Sequence, residues 1–262
     1  MKTNISVTLI GSGNVGSQLA QFFHKNGITI DAVYNKNEES GVSLANAVNS
    51  TFINDKTKLP ENSTFYLVAL KDDHYLEELK GMDLNNKLII HTSGSLDSQK
   101  LGKFSARWGC LYPMQTLTKN HSVNWSEISF LIEAANKKDE NFILNTCDLL
   151  EFKTSKSNST QRRKNHIAAI TTNNFIYHLL STIKVFCQEN NLNFDDLKTL
   201  LQKSIDNSFQ NEAFTMQTGP ASRNDLKLVK EHLKLLDDNK NLKEIYELFS
   251  KQILKKHHNN EL

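Results

Sequence analysis

Three glycines within six residues follow the first apolar run of the chain and constrain its fold more than any other feature. Residues 5–10 are typical of a buried strand, and the apolar spacing that follows predicts a helix over 15–25. Glycines at such a turn permit a tight bend and a close approach of the backbone to a pyrophosphate, beside the N–H groups of the helix N-terminus. The turn predicts a dinucleotide site, unless it is a plain strand–helix turn that binds nothing. Its residues are Gly11, Ser12, Gly13, Asn14, Val15 and Gly16.

Short apolar runs alternate with helical spacings through the first 152 residues. Further strands are predicted at 28–34, 51–53, 65–70, 87–91, 109–112 and 129–133, and a helix at 43–48. Continuously apolar strands that alternate with helices are typical of a parallel sheet covered on both faces. We therefore predict an α/β fold, a Rossmann-type doubly wound parallel sheet, that forms a dinucleotide-binding domain over residues 1–155.

The sequence changes character after residue 152. Residues 153–164 contain no apolar side chain, which predicts a connection between domains. Beyond them apolar residues recur at helical spacing, along one long helix and along three later helices near 197–205, 226–236 and 242–253. Residues 156–262 are therefore predicted to form a smaller, all-helical domain.

Composition excludes several classes of protein. In 262 residues, 31 Lys and Arg against 29 Asp and Glu give a formal net charge of +2, which lacks the basic excess of a dedicated nucleic-acid-binding protein. No apolar run reaches the about 18 residues of a membrane span. The three cysteines lack CxxC spacing, so neither a disulfide framework nor a metal site is expected. The run at 5–10 leads into glycines instead of a cleavage site, so we expect a cytoplasmic protein that binds no membrane.

The end of the second strand predicts which dinucleotide binds. Asn35 stands 19 residues after Gly16, where NAD-binding proteins carry an Asp or Glu that accepts hydrogen bonds from the ribose. An amide followed by the cation of Lys36 suits the 2′-phosphate of NADP, because a carboxylate there would repel that dianion. We therefore predict NADP in preference to NAD. The alternative is that Lys36 is an ordinary solvated lysine.

Polar residues follow the fourth and fifth predicted strands. Leu70, Lys71 and Asp72 follow the fourth strand, and Ser93 and Gly94 follow the fifth. Ligands of open parallel sheets bind beyond the carboxyl ends of the strands. We therefore expect these two loops to position the nicotinamide, with Ser93 in a hydrogen-bonding role.

Three residues are candidates for proton transfer. His91 ends the fifth strand, and an imidazole titrates near neutral pH; a half-buried histidine satisfied by backbone is an equal alternative. Tyr112 ends the sixth strand. His166, with Asn173 further on, interrupts the apolar stripe of the long helix. Because buried polar groups are unfavourable without partners, these two either face a cleft or pair internally.

Residues 218–225 form the densest polar cluster of the helical half. Ser222 and Asp225, three residues apart, match a capping box ahead of the next helix. Arg223 in the first turn opposes the helix dipole, so we expect it to pair with Asp225, a substrate carboxylate or a cofactor phosphate. Thr218, Arg223 and Asn173 are the candidate substrate contacts.

Together with the glycine turn, five motifs resemble a family of bacterial Rossmann-like proteins. They are Lys-Asp-Asp-His at 71–74, His-Thr-Ser-Gly-Ser at 91–95, Tyr-Pro-Met-Gln-Thr at 112–116, Asn-His-Ile-Ala-Ala-Ile at 165–170 and Thr-Gly-Pro-Ala-Ser-Arg-Asn-Asp at 218–225. The family has a C-terminal helical domain of unknown function, is described as NADP-dependent oxidoreductases, and is distantly similar to pyrroline-5-carboxylate reductase and ketopantoate reductase. The resemblance implies a homodimer formed through the helical domain.

The chain departs from that family at two places. Relatives often have His-Pro where this chain has Tyr112-Pro113, and Arg-Gly-Asp where it has residues 223–225. The first departure removes a histidine from a loop in which a catalytic histidine would otherwise be expected.

The sequence therefore predicts an NADP-dependent oxidoreductase that works in a cleft between its two domains. Analogy with the relatives alone suggests a small carbonyl or imine acid as substrate. Because the sequence holds no unmistakable catalytic pair, a non-catalytic sensor or structural protein that binds a dinucleotide is the main alternative. A scaffold that binds protein partners and no dinucleotide is the third.

Overall fold

The computed structural model describes residues 4–71, 74–118 and 123–258. The chain divides into two compact units, residues 1–173 and 174–262. This division falls inside a long helix that begins at Ser159, and the predicted division after residue 155 lies just ahead of that helix. Within the described residues, no helix is long and apolar enough to cross a membrane.

The first unit is built on one eight-stranded sheet. The strands are β1 (Ser6–Ile10), β2 (Thr29–Tyr34), β3 (Thr51–Ile53), β4 (Phe65–Val68), β5 (Ile89–His91), β6 (Trp108–Pro113), β7 (Ser129–Ala134) and β8 (Lys153–Lys156). Their order across the sheet is β3-β2-β1-β4-β5-β6-β7-β8. Through β6 this is the order of a doubly wound Rossmann sheet, in which ligands bind beyond the strand ends where the order reverses, here between β1 and β4. The predicted fold class is confirmed.

Eight α-helices lie in the described part of the chain. They are α1 (Asn14–Lys25), α2 (Glu38–Ala47), α3 (Tyr75–Leu79), α4 (Lys137–Leu149), α5 (Ser159–Glu189), α6 (Lys198–Gln210), α7 (Leu226–Leu235) and α8 (Lys240–His258). α2 begins earlier than apolar spacing predicted, because Asn37 accepts a hydrogen bond from the Ser40 N–H and caps the helix. The acidic residues Glu38 and Glu39 also suit the positive end of the helix dipole.

Both faces of the central strands are buried. Val7 and Leu9 of β1 belong to one apolar cluster, whereas Ile10 belongs to a second cluster with Tyr66 and Val68 of β4. Side chains of successive strand residues point to opposite faces, so a continuously apolar strand serves two cores. This double burial fixes the strand ends, and with them the loops that follow.

One pair of neighbouring strands departs from the predicted parallel sheet. β7 runs antiparallel to β6, with Pro113 opposite Phe130. A parallel pair needs a crossover, which is usually a helix. The described part of this connection, 114–118 and 123–128, contains a single 3₁₀ turn at Trp125–Glu127. The chain therefore turns back beside the strand that it has just left.

The polar segment at 153–164 is not the connection that the sequence predicted. Its first residues form β8, which pairs in parallel with β7 at the edge of the sheet. Lysines and serines are compatible with an edge strand, because their polar side chains extend into water and oppose pairing with a further strand. The same segment then begins α5 at Ser159, so no flexible linker separates the sheet from this helix.

Candidate functional site

The turn between β1 and α1 is shaped by two glycines that no other residue could replace. Gly11 has a φ of +103°, and a Cβ there would lie 2.4 Å from the Ala69 carbonyl oxygen. A Cβ at Gly16 would lie 2.3 Å from the Gly11 carbonyl oxygen. The turn is held in the sheet because the Gly11 N–H donates to the Tyr34 carbonyl at 2.9 Å. Close packing at 11 and 16 leaves the outer side of the turn for a ligand.

The middle glycine leaves the helix N-terminus open to an anion. Gly13 is exposed and stands at the N-cap of α1, where it supplies no capping side chain, and no acidic residue occupies the first turn. The N–H groups of a first helical turn carry partial positive charge and bind phosphate well. These residues therefore fit the pyrophosphate of a dinucleotide.

A cavity of about 280 Å³ lies beside this turn, over the end of β2. Asn35, Lys36, Leu70 and Lys71 all line it, as the predicted cofactor contacts should. The Asn35 amide is already engaged, because its Nδ2 donates to the Asn37 carbonyl at 2.8 Å. The predicted contact Asp72 lies outside the described residues.

Glu78 of α3 also lines this cavity, and the sequence analysis did not identify it. Its carboxylate accepts a hydrogen bond of 2.7 Å from the Tyr34 hydroxyl and lies 2.5 Å from Lys36 Nζ. Burial alone would raise the pKa of Glu78, but the hydrogen bonds from Lys36 and Tyr34 outweigh it and lower that pKa. Burial and the bond to Glu78 raise the pKa of Tyr34. The pair is thus a carboxylate and a neutral phenol. Residue spacing could not predict that Glu78 contacts Tyr34 and Lys36, because they lie in distant parts of the chain.

A second cavity, of about 610 Å³, shares Gly13, Leu70 and Lys71 with the first. It brings together residues from the glycine turn, from the loops after β4, β5 and β6, and from the start of α5. Those predicted from the sequence are Gly13, Asn14, Val15, Leu70, Lys71, Ser93, Gly94, Tyr112 and His166. The glycine turn after β1, the ends of three further strands and α5 therefore converge on one cavity of the first unit.

Tyr112 and His166 form a hydrogen-bonded pair on the wall of this second cavity. The Tyr112 hydroxyl lies 2.9 Å from His166 Nδ1, and the two rings meet edge to face. Gly94 makes the approach possible, because a Cβ at this position would lie 2.5 Å from His166 Nδ1. A phenol and an imidazole in contact can pass a proton between them. The sequence named both residues as proton-transfer candidates but gave no sign that they touch.

His91 lies beneath the cavity, not on its wall. It is fully buried. Its Nδ1 accepts a hydrogen bond from the Ser93 N–H at 3.2 Å, and its Nε2 lies 2.8 Å from Ser98 Oγ. Burial, assisted by the positive charge of Arg162, holds the pKa of His91 well below its ordinary value. This position favours the alternative interpretation of His91, an internally satisfied histidine, over the predicted role in proton transfer.

Arg162 is the centre of a buried polar network that the sequence analysis missed. It is fully buried, although it lies in the segment predicted to be a connection. Its guanidinium donates to the Glu133 carboxylate of β7, to the Leu96 carbonyl at 2.5 Å and to Ser98 Oγ at 2.9 Å. Ser98 in turn contacts His91. The network fixes the start of α5 against β7 and the loop after β5, one helical turn before His166.

The predicted substrate contacts of the helical half lie on separate features. Asn173 Oδ1 is buried and has no hydrogen-bond partner among the described residues. The Arg223 guanidinium donates to the Thr218 carbonyl, so it does not pair with Asp225 as one prediction had it. Thr218 lines an apolar cavity of about 430 Å³ within the second unit.

The predicted capping box at 222–225 is wrong. Asp225 is itself the N-cap of α7, and its carboxylate accepts a hydrogen bond from the Leu228 N–H at 3.1 Å. The Ser222 hydroxyl donates instead to the Gly219 carbonyl at 2.8 Å. The helix thus begins three residues later than predicted, because Asn224 takes a positive φ of 60°, which ends the preceding turn.

The described part of the chain contains no cluster of side chains suited to bind a metal ion. Within 4–71, 74–118 and 123–258, no group of three or more His, Cys, Asp or Glu side chains could hold a metal ion. The three cysteines are free and buried, and burial raises the pKa of Cys110 to about 12.

Two family descriptions match separate parts of the chain. Residues 6–94 match the family described as NADP oxidoreductase, coenzyme F420-dependent. Residues 128–253 match the domain of unknown function DUF2520. The comparison with curated proteins gives no match.

Solved structures similar to this chain include proteins crystallised with NADP. An imine reductase from Myxococcus stipitatus in complex with NADP+ is 14% identical, with 98% of this chain and 96% of that chain covered and a TM-score of 0.67. Pyrroline carboxylate reductase from Plasmodium falciparum with NADP bound is 16% identical, with 97% and 98% covered and a TM-score of 0.56. At such identities the likeness shows a shared fold.

A provisionally named NADP oxidoreductase from Bacteroides fragilis is a nearer relative. It is 31% identical, its crystal structure superposes with a TM-score of 0.85, and the match covers 96% of this chain and 98% of that chain. The chain therefore belongs to the family of that Bacteroides protein. In this chain, the part that matches the NADP oxidoreductase family precedes the part that matches DUF2520.

Proposed function

We propose that this protein is an NADP-dependent reductase of small imine or carbonyl compounds, with Tyr112 and His166 as its proton-transfer pair. The observation that carries the proposal is the position of this pair: it lies on the wall of the cavity that the glycine turn also lines. A sensor that only binds a dinucleotide has no need of such a pair beside it.

The cofactor is assigned from the fit of the residues around the turn. Gly11, Gly13 and Gly16 shape a turn that accepts a pyrophosphate, and Lys36 supplies a cation at the neighbouring cavity for the 2′-phosphate. Ser93 and Gly94 line the second cavity, where the nicotinamide end would lie. When bound, NADP supplies the hydride chemistry, and the protein orients it.

The protein's own chemical task is to deliver a proton. Reduction of a C=N or C=O bond adds a proton to nitrogen or oxygen. In the proposed mechanism the Tyr112 hydroxyl donates that proton to the substrate. His166 returns one to the phenol oxygen through Nδ1 and takes up a proton from solvent at Nε2. A positioned general acid of this kind contributes about 10²–10⁴-fold to the rate. His91 is left out of the mechanism because both of its ring nitrogens are engaged in the interior.

The substrate class is drawn from the relatives that share the fold. They include an imine reductase and a pyrroline carboxylate reductase, and this favours a cyclic or open-chain imine over a simple ketone. That the substrate carries a carboxylate is still a prediction. So are substrate contacts with Asn173, Thr218 and Arg223, and a substrate site in a cleft between the domains.

We also propose a homodimer formed through the helical half. Large apolar side chains are exposed along α5 and α6, among them Phe175, Tyr177, Leu200 and Phe209, the last 87% exposed. Monomeric proteins rarely expose a large contiguous apolar patch, and a dimer interface on α5 and α6 would cover these side chains.

Turnover tests the proposal. Purified protein and NADPH are mixed with a panel of cyclic imines and keto acids, with and without a carboxylate, and the loss of NADPH absorbance is followed. We expect turnover of at least one imine, and Tyr112→Phe should lower kcat by about 100-fold or more while NADPH affinity stays the same.

A second tyrosine–histidine pair provides the control. Tyr246 OH lies 2.8 Å from His232 Nδ1, and both residues belong to the second unit. Tyr246→Phe should leave kcat unchanged. Tight NADPH binding without turnover across the whole panel would favour the sensor, and an unchanged kcat in Tyr112→Phe would exclude the proposed proton donor.

A further inference from the structure

The cavity at the end of β2 contains a buried carboxylate where a 2′-phosphate dianion is expected. Glu78 is carried by α3, and its side chain is 7% exposed. It lines the same cavity as Asn35 and Lys36. In NAD-binding proteins an acidic residue at the end of β2 accepts hydrogen bonds from the ribose. Here the end of β2 has no acid, but a different element brings one to the same cavity.

Three neighbouring groups hold this carboxylate in place. The Tyr34 hydroxyl donates to Oε1 at 2.7 Å, and Lys56 Nζ lies 3.5 Å from the same oxygen. Lys56 also donates to the Glu78 main-chain carbonyl at 2.7 Å. On the open side Lys36 Nζ lies 2.5 Å from Oε2. The carboxylate therefore stays in the cavity whether or not Lys36 remains with it.

Lys36 is the exposed member of the pair. Its side chain is 70% exposed, whereas that of Glu78 is nearly buried. The exposed ammonium can exchange Glu78 for another anion, because water solvates the lysine while Tyr34 and Lys56 still hold the carboxylate. A 2′-phosphate that enters the cavity must therefore draw Lys36 away from Glu78, and it must do so next to a like charge.

We propose that Glu78 sets the choice between the two dinucleotides: it competes with the 2′-phosphate of NADP for Lys36 and offers an acceptor to the ribose hydroxyls of NAD. This inference rests on the proposed function, because it presumes that a dinucleotide binds at the glycine turn. Asn35 and Lys36 alone would favour NADP over NAD, and Glu78 makes that preference weaker.

Calorimetric titration of NADPH and NADH measures the effect directly. Glu78→Gln keeps an acceptor for the Tyr34 hydroxyl and removes the negative charge. We expect the ratio of the Kd for NADH to the Kd for NADPH to rise by about tenfold, since a like charge close to the phosphate is lost. Glu77→Gln is the matched control, because Glu77 is on the same helix, is 72% exposed and pairs with Lys80. Its ratio should stay within about twofold of the wild type.

A variant of Lys36 gives a second test, which keeps the contacts of Glu78 with Tyr34 and Lys56. In Lys36→Met the carboxylate loses its competitor on the open side, so the affinity for NADH should rise severalfold while that for NADPH falls. A lysine that serves only the phosphate would leave the affinity for NADH unchanged, and that result would overturn the inference.

The outcomes separate this inference from the function on which it rests. An unchanged or lower ratio in Glu78→Gln, with both dinucleotides still bound, overturns the role of Glu78 and leaves the reductase proposal intact. Failure of the wild type to bind either dinucleotide overturns both.

Discussion

Gly94 shows how one missing side chain shapes the proposed catalytic pair. The glycine is buried in the loop after β5, and a Cβ on it would point at the imidazole of His166. A methyl group there would lie 2.5 Å from Nδ1 and 2.6 Å from Cγ, closer than a Cβ atom approaches non-bonded atoms in a folded protein. The absence of a Cβ thus lets His166 reach the Tyr112 hydroxyl.

Gly94→Ala should therefore lower the rate of catalysis. The imidazole must move aside, and a displacement of about 1 Å at a reacting group lowers the rate by about 100-fold. We expect kcat to fall by that order when it is measured on the best substrate of the panel. Gly102→Ala is the control, since a Cβ there meets its nearest neighbour, Trp108 Nε1, at an ordinary 3.8 Å. Full activity in Gly94→Ala would show that the pair is not needed.

Single residues could be predicted from the sequence where chemistry and local spacing agree. Gly11 and Gly16 were identified because a phosphate turn requires glycine at fixed distances from a strand and a helix. Tyr112 and His166 were identified as polar residues at element ends, but their contact depends on how distant segments pack. Glu78 could not be predicted, because nothing in the spacing of a short surface-like helix marks one of two adjacent glutamates as buried.

At the scale of elements, Arg162 anchors α5 to the sheet. Its guanidinium lies on the Glu133 carboxylate of β7, and both groups are largely out of water. Removal of one member of such a buried pair leaves an uncompensated charge. Because α5 carries His166 one turn later, the same anchor positions half of the proposed catalytic pair.

Arg162→Met should lower the free energy of unfolding by about 3–5 kcal/mol. Urea denaturation followed by circular dichroism measures the change. Arg163→Met, at the exposed neighbouring position, should change stability by no more than about 0.5 kcal/mol. The double variant Arg162→Met/Glu133→Gln should recover part of the loss, because no buried charge then lacks a partner. If Arg162→Met proved as stable as Arg163→Met, that result would contradict the anchoring role of Arg162.

The elements of the sheet were predictable where apolar runs were continuous. β1, β2 and β4 to β7 were located from apolar runs, since strands buried on both faces leave a strong signal. The short edge strand β3 is only partly buried and was located from its β-branched residues. β8 was missed because an edge strand needs little apolar surface, and its lysines and serines are as typical of a linker. The antiparallel direction of β7 was missed because strand direction depends on the connection and not on the strand's own residues.

At the scale of the whole molecule, the exposed apolar surface of the helical half predicts association. Light scattering after size exclusion should give a particle of twice the chain mass of 29.8 kDa. Phe209→Glu places a charge at the most exposed of these side chains and should shift the protein toward the monomer. Leu149→Glu, at an exposed position on α4 of the first unit, should leave the dimer intact. A monomeric wild type would contradict the proposed dimer.

The central claim is that the turn after β1 binds a dinucleotide, and titration of NADPH into the wild type and Gly13→Glu tests it most directly. A Cβ at Gly13 meets no atom closer than 4.0 Å, so the variant should fold normally and keep its thermal unfolding midpoint. Its carboxylate would project into the space needed by the pyrophosphate. We predict that the wild type binds NADPH and that Gly13→Glu binds it at least about 100-fold more weakly. Equal binding by the two proteins, or no binding by the wild type, would contradict the claim.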